Sequence, residues 1–217
     1  MKSNYLKWSG LSLVGLILMS SCMSDVDQPL APVSSKAIGE STEVLPEGGE
    51  NLRKGPKSLP YMEKFSNQSI QDPTKPYAFP GFGTGNALFM GKSYSFFNQY
   101  AVGAPNEKGE VSTVAAPVTE FFQVQIEALG ISAEELDSNY KTVSTITTDG
   151  KGNSIWFHNV SNNAKFDKYG NITFLAEVEI VGGTGKFKGA TGSGRVIGNV
   201  KAADGKGNTL LSANIIY

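Results

Sequence analysis

The chain has 217 residues, with 19 Lys plus Arg against 20 Asp plus Glu, one His and one Cys. A balance this even, with no long basic run, argues against a nucleic-acid surface and against a polybasic membrane patch. A lone cysteine excludes an intramolecular disulfide, so the fold has to hold by packing alone.

Met1–Ser21 reads as a secretory signal rather than as fold: Lys2 and Lys7 precede the apolar run Leu11–Met19, and small residues follow. The run is about nine residues, short of the ~20 that a membrane-spanning helix needs. The next residues, Met19-Ser20-Ser21-Cys22, resemble a bacterial lipobox, with Met in place of the commoner Leu at the first position. That resemblance implies cleavage before Cys22 and acylation of its thiol and amine by palmitate-like chains. These chains would anchor the mature protein in a membrane, the only membrane contact the sequence predicts. Loss of Lys2 and Lys7 takes the basic count from 19 to 17 against 20 acidic residues, a net charge of −3. Asp25 and Asp27 loosely resemble the acidic export tag of surface lipoproteins. A cell-envelope address, and within it the outer membrane, is therefore expected, with the periplasmic face and the cell surface both open.

From Cys22 to Ser58 large apolar residues are scarce, and Pro29, Pro32, Pro46 and Pro56 recur among Ser, Glu and Gly. Such a segment buries too little apolar area to offset its ordering entropy, so residues 22–58 are expected to be a disordered tether. As a flexible coil it would span roughly 30–36 Å. The folded domain is then expected at residues 59–217, which hold all 12 Phe.

Strand signals dominate the domain. Ser93–Ala101 alternates Tyr94, Phe96 and Tyr100 against Ser93, Ser95 and Gln99. Val118–Ile126 alternates Phe122, Val124 and Ile126 against Phe121, Gln123 and Gln125, and predicts another strand. Lys141–Thr148 is rich in β-branched residues, and the turn Asp149-Gly150-Lys151-Gly152 joins it to Asn153–Val160 as a hairpin. A turn at Asp167–Asn171 leads into Ile172–Val181, where Ile172, Phe174, Ala176, Val178 and Ile180 share a face opposite Glu177 and Glu179. Ala190–Ala202 and Thr209–Tyr217 complete the strands, separated by a turn at Asp204–Asn208. One short helix is expected over Ile131–Asn139, with Ser132 as its N-cap and Glu135 three residues on. Short adjacent strands with frequent turns predict an all-β domain: a single antiparallel, mostly up-and-down barrel of about eight strands.

Gly182–Gly194 reads GGTGKFKGATGSG. A phosphate-binding loop does not fit it: Phe187 follows Gly185-Lys186 where Ser or Thr is needed, and the next segment alternates as a strand rather than starting a helix. Gly182, Gly183 and Gly185 instead suit a tight connection needing positive φ, with Phe187 plugging the barrel end. Gly189 continues the corner, and Gly192, Gly194 and Gly198 on one strand face would let bulky neighbours come close.

This corner resembles the GGTGxFxxAxG signature of the allene oxide cyclase and dirigent barrel superfamily, and above all its secreted bacterial members. Gly83-Thr84-Gly85-Asn86-Ala87-Leu88-Phe89-Met90-Gly91-Lys92 is similar to a second motif of those members, with Leu88 and Phe89 in place of its Thr-His pair. The resemblance covers about Thr84 to Tyr217 and implies a barrel; the polar functional residues of the plant enzymes do not align onto this chain.

His158 has no Cys, His or carboxylate neighbours at ligand spacing, so neither a metal nor a cofactor is expected. No catalytic constellation assembles from these residues. Tyr94, Phe96, Tyr100, Trp156 and His158 are the residues expected to line a cavity, if the barrel holds one. The function expected is a non-enzymatic binding module for a small apolar ligand or a protein partner, held at the membrane by Cys22. An isomerase or cyclase, or a solid structural barrel, is the alternative.

Overall fold

The structure, a computed structural model, describes residues 57–216. The expected signal segment, Cys22 and the expected tether as far as residue 56 lie outside the described residues.

Alternating side chains build a wall with one face to the core. β1 (Ser58–Ser69), β2 (Gly81–Ala87) and β3 (Gly91–Phe97) form consecutive antiparallel neighbours. β6 (Thr145–Thr148), β7 (Ser154–Phe166), β8 (Ile172–Thr184), β9 (Thr191–Val200) and β10 (Lys206–Ile216) follow in the same manner. β10 pairs back onto β1 and β3 onto β6, so the sheet closes as an eight-stranded, up-and-down antiparallel barrel. Closure leaves the eight barrel strands without a free edge.

Two short strands reveal how the wall is completed. β4 (Gln99–Ala101) continues β3 after a break at Asn98. β5 (Glu110–Ala115) lies between β4 and β7, and β6 lies between β3 and β7. On β7, Thr113 pairs with Asn162 and Thr145 with Phe157, so β5 and β6 are two halves of one barrel strand. Residues 116–144 leave the wall between these halves and carry α1 (Thr119–Ala128) and α2 (Ala133–Asp137).

α2 falls where the sequence predicts a helix, and Ser132 Oγ accepts from the Glu135 amide at 3.2 Å. α1 corrects an expectation: the segment predicted as a strand over 118–126 is helical. Val118 at its N-cap and Phe122 and Ile126 within it are buried at every fourth position, whereas Val124, which strand parity would bury with them, is 76 % exposed. Strand and helix readings share Phe122 and Ile126, and the position of Val124 separates them. Both helices lie against the outer wall, packing on Ile146, Trp156 and Val181, with Phe96 and Phe121 half-buried at the margin.

β7 runs on beyond the predicted Val160 to Phe166, with a bulge at Val160. β1 and β2 carry no strand reading in the sequence analysis, yet β1 is the longest-paired partner of β10.

At the end of the barrel where β1 begins, Tyr61, Ile155, Phe157, Ile180, Phe187 and Ile215 form one buried cluster. Phe187 is fully buried there, on a single 3-10 turn, Gly185–Phe187. Of the three corner glycines, Gly185 (φ +57°) and Gly182 (φ +153°) do adopt positive φ. Gly183 does not; it is needed for space, since a Cβ would lie 2.7 Å from that of Phe187.

Candidate functional site

The inward face of the barrel changes character along its axis. Beyond the apolar cluster, strand alternation points Glu63, Phe65 and Asn67 of β1 inward, together with Ser95 and Phe97 of β3 and Asn159, Asn162 and Ala164 of β7. Phe174, Ala176 and Val178 of β8 and Thr209 and Leu211 of β10 complete the ring. They enclose a cavity of about 120 Å³. Space of that size admits about four waters. Ser69, Phe79, Phe166, Ile172, Asn199 and Val200 surround its opening, at the end of the barrel opposite Phe187.

Glu63 sits where the apolar cluster gives way to the cavity, buried to 5 % exposure. Burial pushes its carboxyl up from 4.5 to about 7, against the pull of the Tyr61 hydroxyl. The Tyr61 hydroxyl donates to Glu63 Oε1 at 2.6 Å. Near neutral pH this carboxyl is present in both protonation states, so it can donate as well as accept a hydrogen bond.

The polar groups around it are only partly satisfied. Gln99 Oε1 accepts from the Thr113 hydroxyl and from Asn162 Nδ2, and Asn67 Nδ2 donates to Thr209 Oγ1 at 2.9 Å. Both side-chain amide atoms of Asn159 lack a protein partner, as do Asn162 Oδ1, Asn67 Oδ1 and Thr147 Oγ1. Asn159 is 3 % exposed and Thr147 fully buried. A buried amide left unpaired costs about 1–3 kcal/mol, so a cluster of them facing a cavity is a feature to be explained.

The residues expected to line the cavity lie elsewhere. Tyr94, Phe96, Trp156 and His158 occupy the opposite face of β3 and β7 and point outward. Phe96 packs on Phe122 of α1 with ring centroids 5.3 Å apart, and Trp156 is buried under the helices, its Nε1 donating to Ser154 Oγ at 2.8 Å. His158 Nδ1 bonds the Thr142 carbonyl at 2.9 Å. Tyr100 donates to the Glu120 carboxylate, which also receives Lys75 and Asn98 Nδ2; burial and that acceptor push the Tyr100 phenol up to about 12. The cause of the inversion is the excursion 116–144. It covers part of the outer wall with apolar side chains, so the aromatic face of these strands is the outer one.

Glu177 and Glu179 do stand on the exterior, paired with Arg195 at 3.3 Å and with Lys141. Leu175, Ile197 and Leu210 are directly opposed on three adjacent strands and exposed on the outer wall. Among the described residues no three His, Cys, Asp or Glu side chains are placed to share a metal ion, and no helix is long and apolar enough to cross a membrane.

Glu63 lies on β1, outside the strands that the sequence patterns single out. The available signal was the period of two in Tyr61, Glu63, Phe65 and Asn67, a carboxylate bracketed by aromatics on one face. Fold and site together define an up-and-down barrel whose interior is part packed core and part polar-spotted cavity. Comparison of the chain with protein-family models, curated proteins and solved structures finds no match.

Proposed function

We propose that the protein is a non-enzymatic binding module, lipid-anchored in the cell envelope through Cys22, whose barrel interior takes a small, mainly apolar molecule bearing one hydrogen-bonding head group. The observation that carries this reading is the set of buried polar atoms without protein partners, Asn159 foremost, around a cavity whose remaining lining is largely apolar. A carbonyl or hydroxyl placed between Glu63 and Asn159 would satisfy groups that the fold itself leaves unpaired, while Phe65, Phe97 and Phe174 enclose the apolar body. At about 120 Å³ the cavity suits a molecule of about five or six non-hydrogen atoms.

Calorimetric titration of the protein with short alcohols, ketones and carboxylic acids tests it. Binding of at least one class, lost in Asn159→Leu and in Glu63→Leu, is the expected result. Equal binding by the variants, or none by the unaltered protein, overturns the reading.

The carboxyl held near pH 7 in an apolar setting favours a second reading, an isomerase or cyclase similar to the allene oxide cyclases that the corner sequence resembles. Glu63 would then move a proton on the bound molecule. Turnover of an unsaturated ketone or epoxide that is abolished in Glu63→Gln, with binding retained, distinguishes it from the binding module.

A further inference from the structure

The end of the barrel that carries Phe187 also collects features that the cavity does not use. The β2–β3 connection there is Leu88-Phe89-Met90, and Leu88 and Phe89 are each 43 % exposed. Met62, whose carbonyl accepts from the Leu88 amide, adds a third side chain at 51 % exposure. Phe89 holds φ +69°, the left-handed region, as the one non-glycine residue described to do so. A bulky residue occupies that region at a cost, and here one face of the ring stacks on Tyr61, centroids 6.4 Å apart, while the rest stays exposed at a hairpin tip.

Cations surround this tip. Lys57 precedes β1, Lys92 follows the hairpin, Lys151 lies in the β6–β7 turn, and Lys186 and Lys188 lie in the β8–β9 corner. Lys186 Nζ reaches the Phe89 carbonyl at 3.3 Å. All five are exposed, and none forms an ion pair among the described residues; at the opposite end Lys108, Lys168 and Lys201 are unpaired too, but they stand among Glu107, Glu110, Asp167 and Asp204, and Lys165 and Lys206 are paired there. Among the described residues of the connections at this end the only carboxylate is Asp149, and it is occupied by the Lys151 and Asn153 amides and by Asn153 Nδ2. Glu127 stands on the helix whose Leu129 lies near Gly150.

We infer that this end is a face that rests on an anionic lipid surface, with Leu88 and Phe89 entering the headgroup boundary and the lysines above it. Apolar side chains ringed by unpaired cations are complementary to an anionic bilayer interface and to its charge. The position of the chain agrees: β1 starts at this same end, so the segment leading back to Cys22 joins the barrel beside the tip. The cavity opening then faces away from the lipid. The sequence contains no polybasic run because the lysines come from four separate stretches that only barrel closure brings to one end.

The inference rests on the proposed acylation of Cys22, and the test separates the two. The full-length protein as exported is incorporated in vesicles of phosphatidylcholine with or without phosphatidylglycerol, and amide hydrogen exchange is followed by mass spectrometry. Slower exchange over 86–92 and 184–190 on the anionic vesicles, with 164–172 and 200–206 unchanged, is expected. Leu88→Ser with Phe89→Ser removes the slowing. Lys186→Gln with Lys188→Gln, which leaves the tip intact and guards against misfolding of the first variant, weakens it by on the order of tenfold in lipid dependence. Protein that floats with the vesicles yet shows equal exchange at both ends overturns the lipid-facing surface and leaves the anchor standing. An intact mass without acyl chains, with no flotation, refutes both.

Discussion

In the half of the lumen nearest Ser58, Tyr61, Ile155, Phe157, Ile180, Phe187 and Ile215 pack into one cluster. In the half beyond it, Phe65, Phe97 and Phe174 share the space with Glu63, Asn67, Asn159 and Asn162, and a cavity persists. The same strands supply both halves, in the same alternation. The packed half gains by burial, and the open half gives some of that stability up by holding unpaired amides and a carboxyl away from water. Packed core and open cavity are thus separated along the barrel axis, a few residues apart on each strand.

The sharpest way to break this division is Phe187→Ala. Deleting the plug from a fully buried site should cost about 3–5 kcal/mol in chemical denaturation, at any pH. Glu63→Gln should act with the opposite sign and only at higher pH. Its folded carboxyl titrates at about 7 rather than 4.5, so the folded state holds the proton more tightly and stability falls as pH rises through that window. At 1.36 kcal/mol for each pKa unit the penalty is about 3 kcal/mol above pH 7 and vanishes below 4.5. Denaturation of the two proteins across that range should therefore converge in acid and diverge in base. Asn159→Leu, which swaps an unpaired amide for an apolar group of similar size, should stabilise by about 1–2 kcal/mol while removing the head-group partner. The smallest effect should come from the rim: Lys165→Ala breaks an exposed pair with Glu110 at 3.8 Å and should change stability by less than about 0.5 kcal/mol.

The turns were the most legible part of the chain. Asp149–Gly152, Asp167–Asn171 and Asp204–Asn208 are all hairpin connections, because Asp, Asn and Gly select those conformations locally. The glycine corner likewise reads from sequence as a close approach: a Cβ on Gly198 would lie 2.4 Å from the Phe174 ring. The candidate site was not legible to the same degree. A period of two divides Tyr94, Phe96, Trp156 and His158 from Ser93, Ser95, Ile155 and Asn159, but it does not say which set faces inward.

Local chemistry in the sequence by itself determined the all-β class, the up-and-down order, the capped α2 and the tight corner before β9. Each follows from interactions within a few residues. Only the tertiary structure decided that β5 and β6 share one position in the wall, that residues 116–144 carry helices over the outside, and that Glu63 and Asn159 line one cavity. These depend on which face of each strand finds a covering layer, and that layer is built by residues far away in the chain. The glycine stretch is where the two levels meet: its local conformation is written in the sequence, and its partner, Phe187 seated among Tyr61, Ile155 and Ile215, exists only once the barrel has closed.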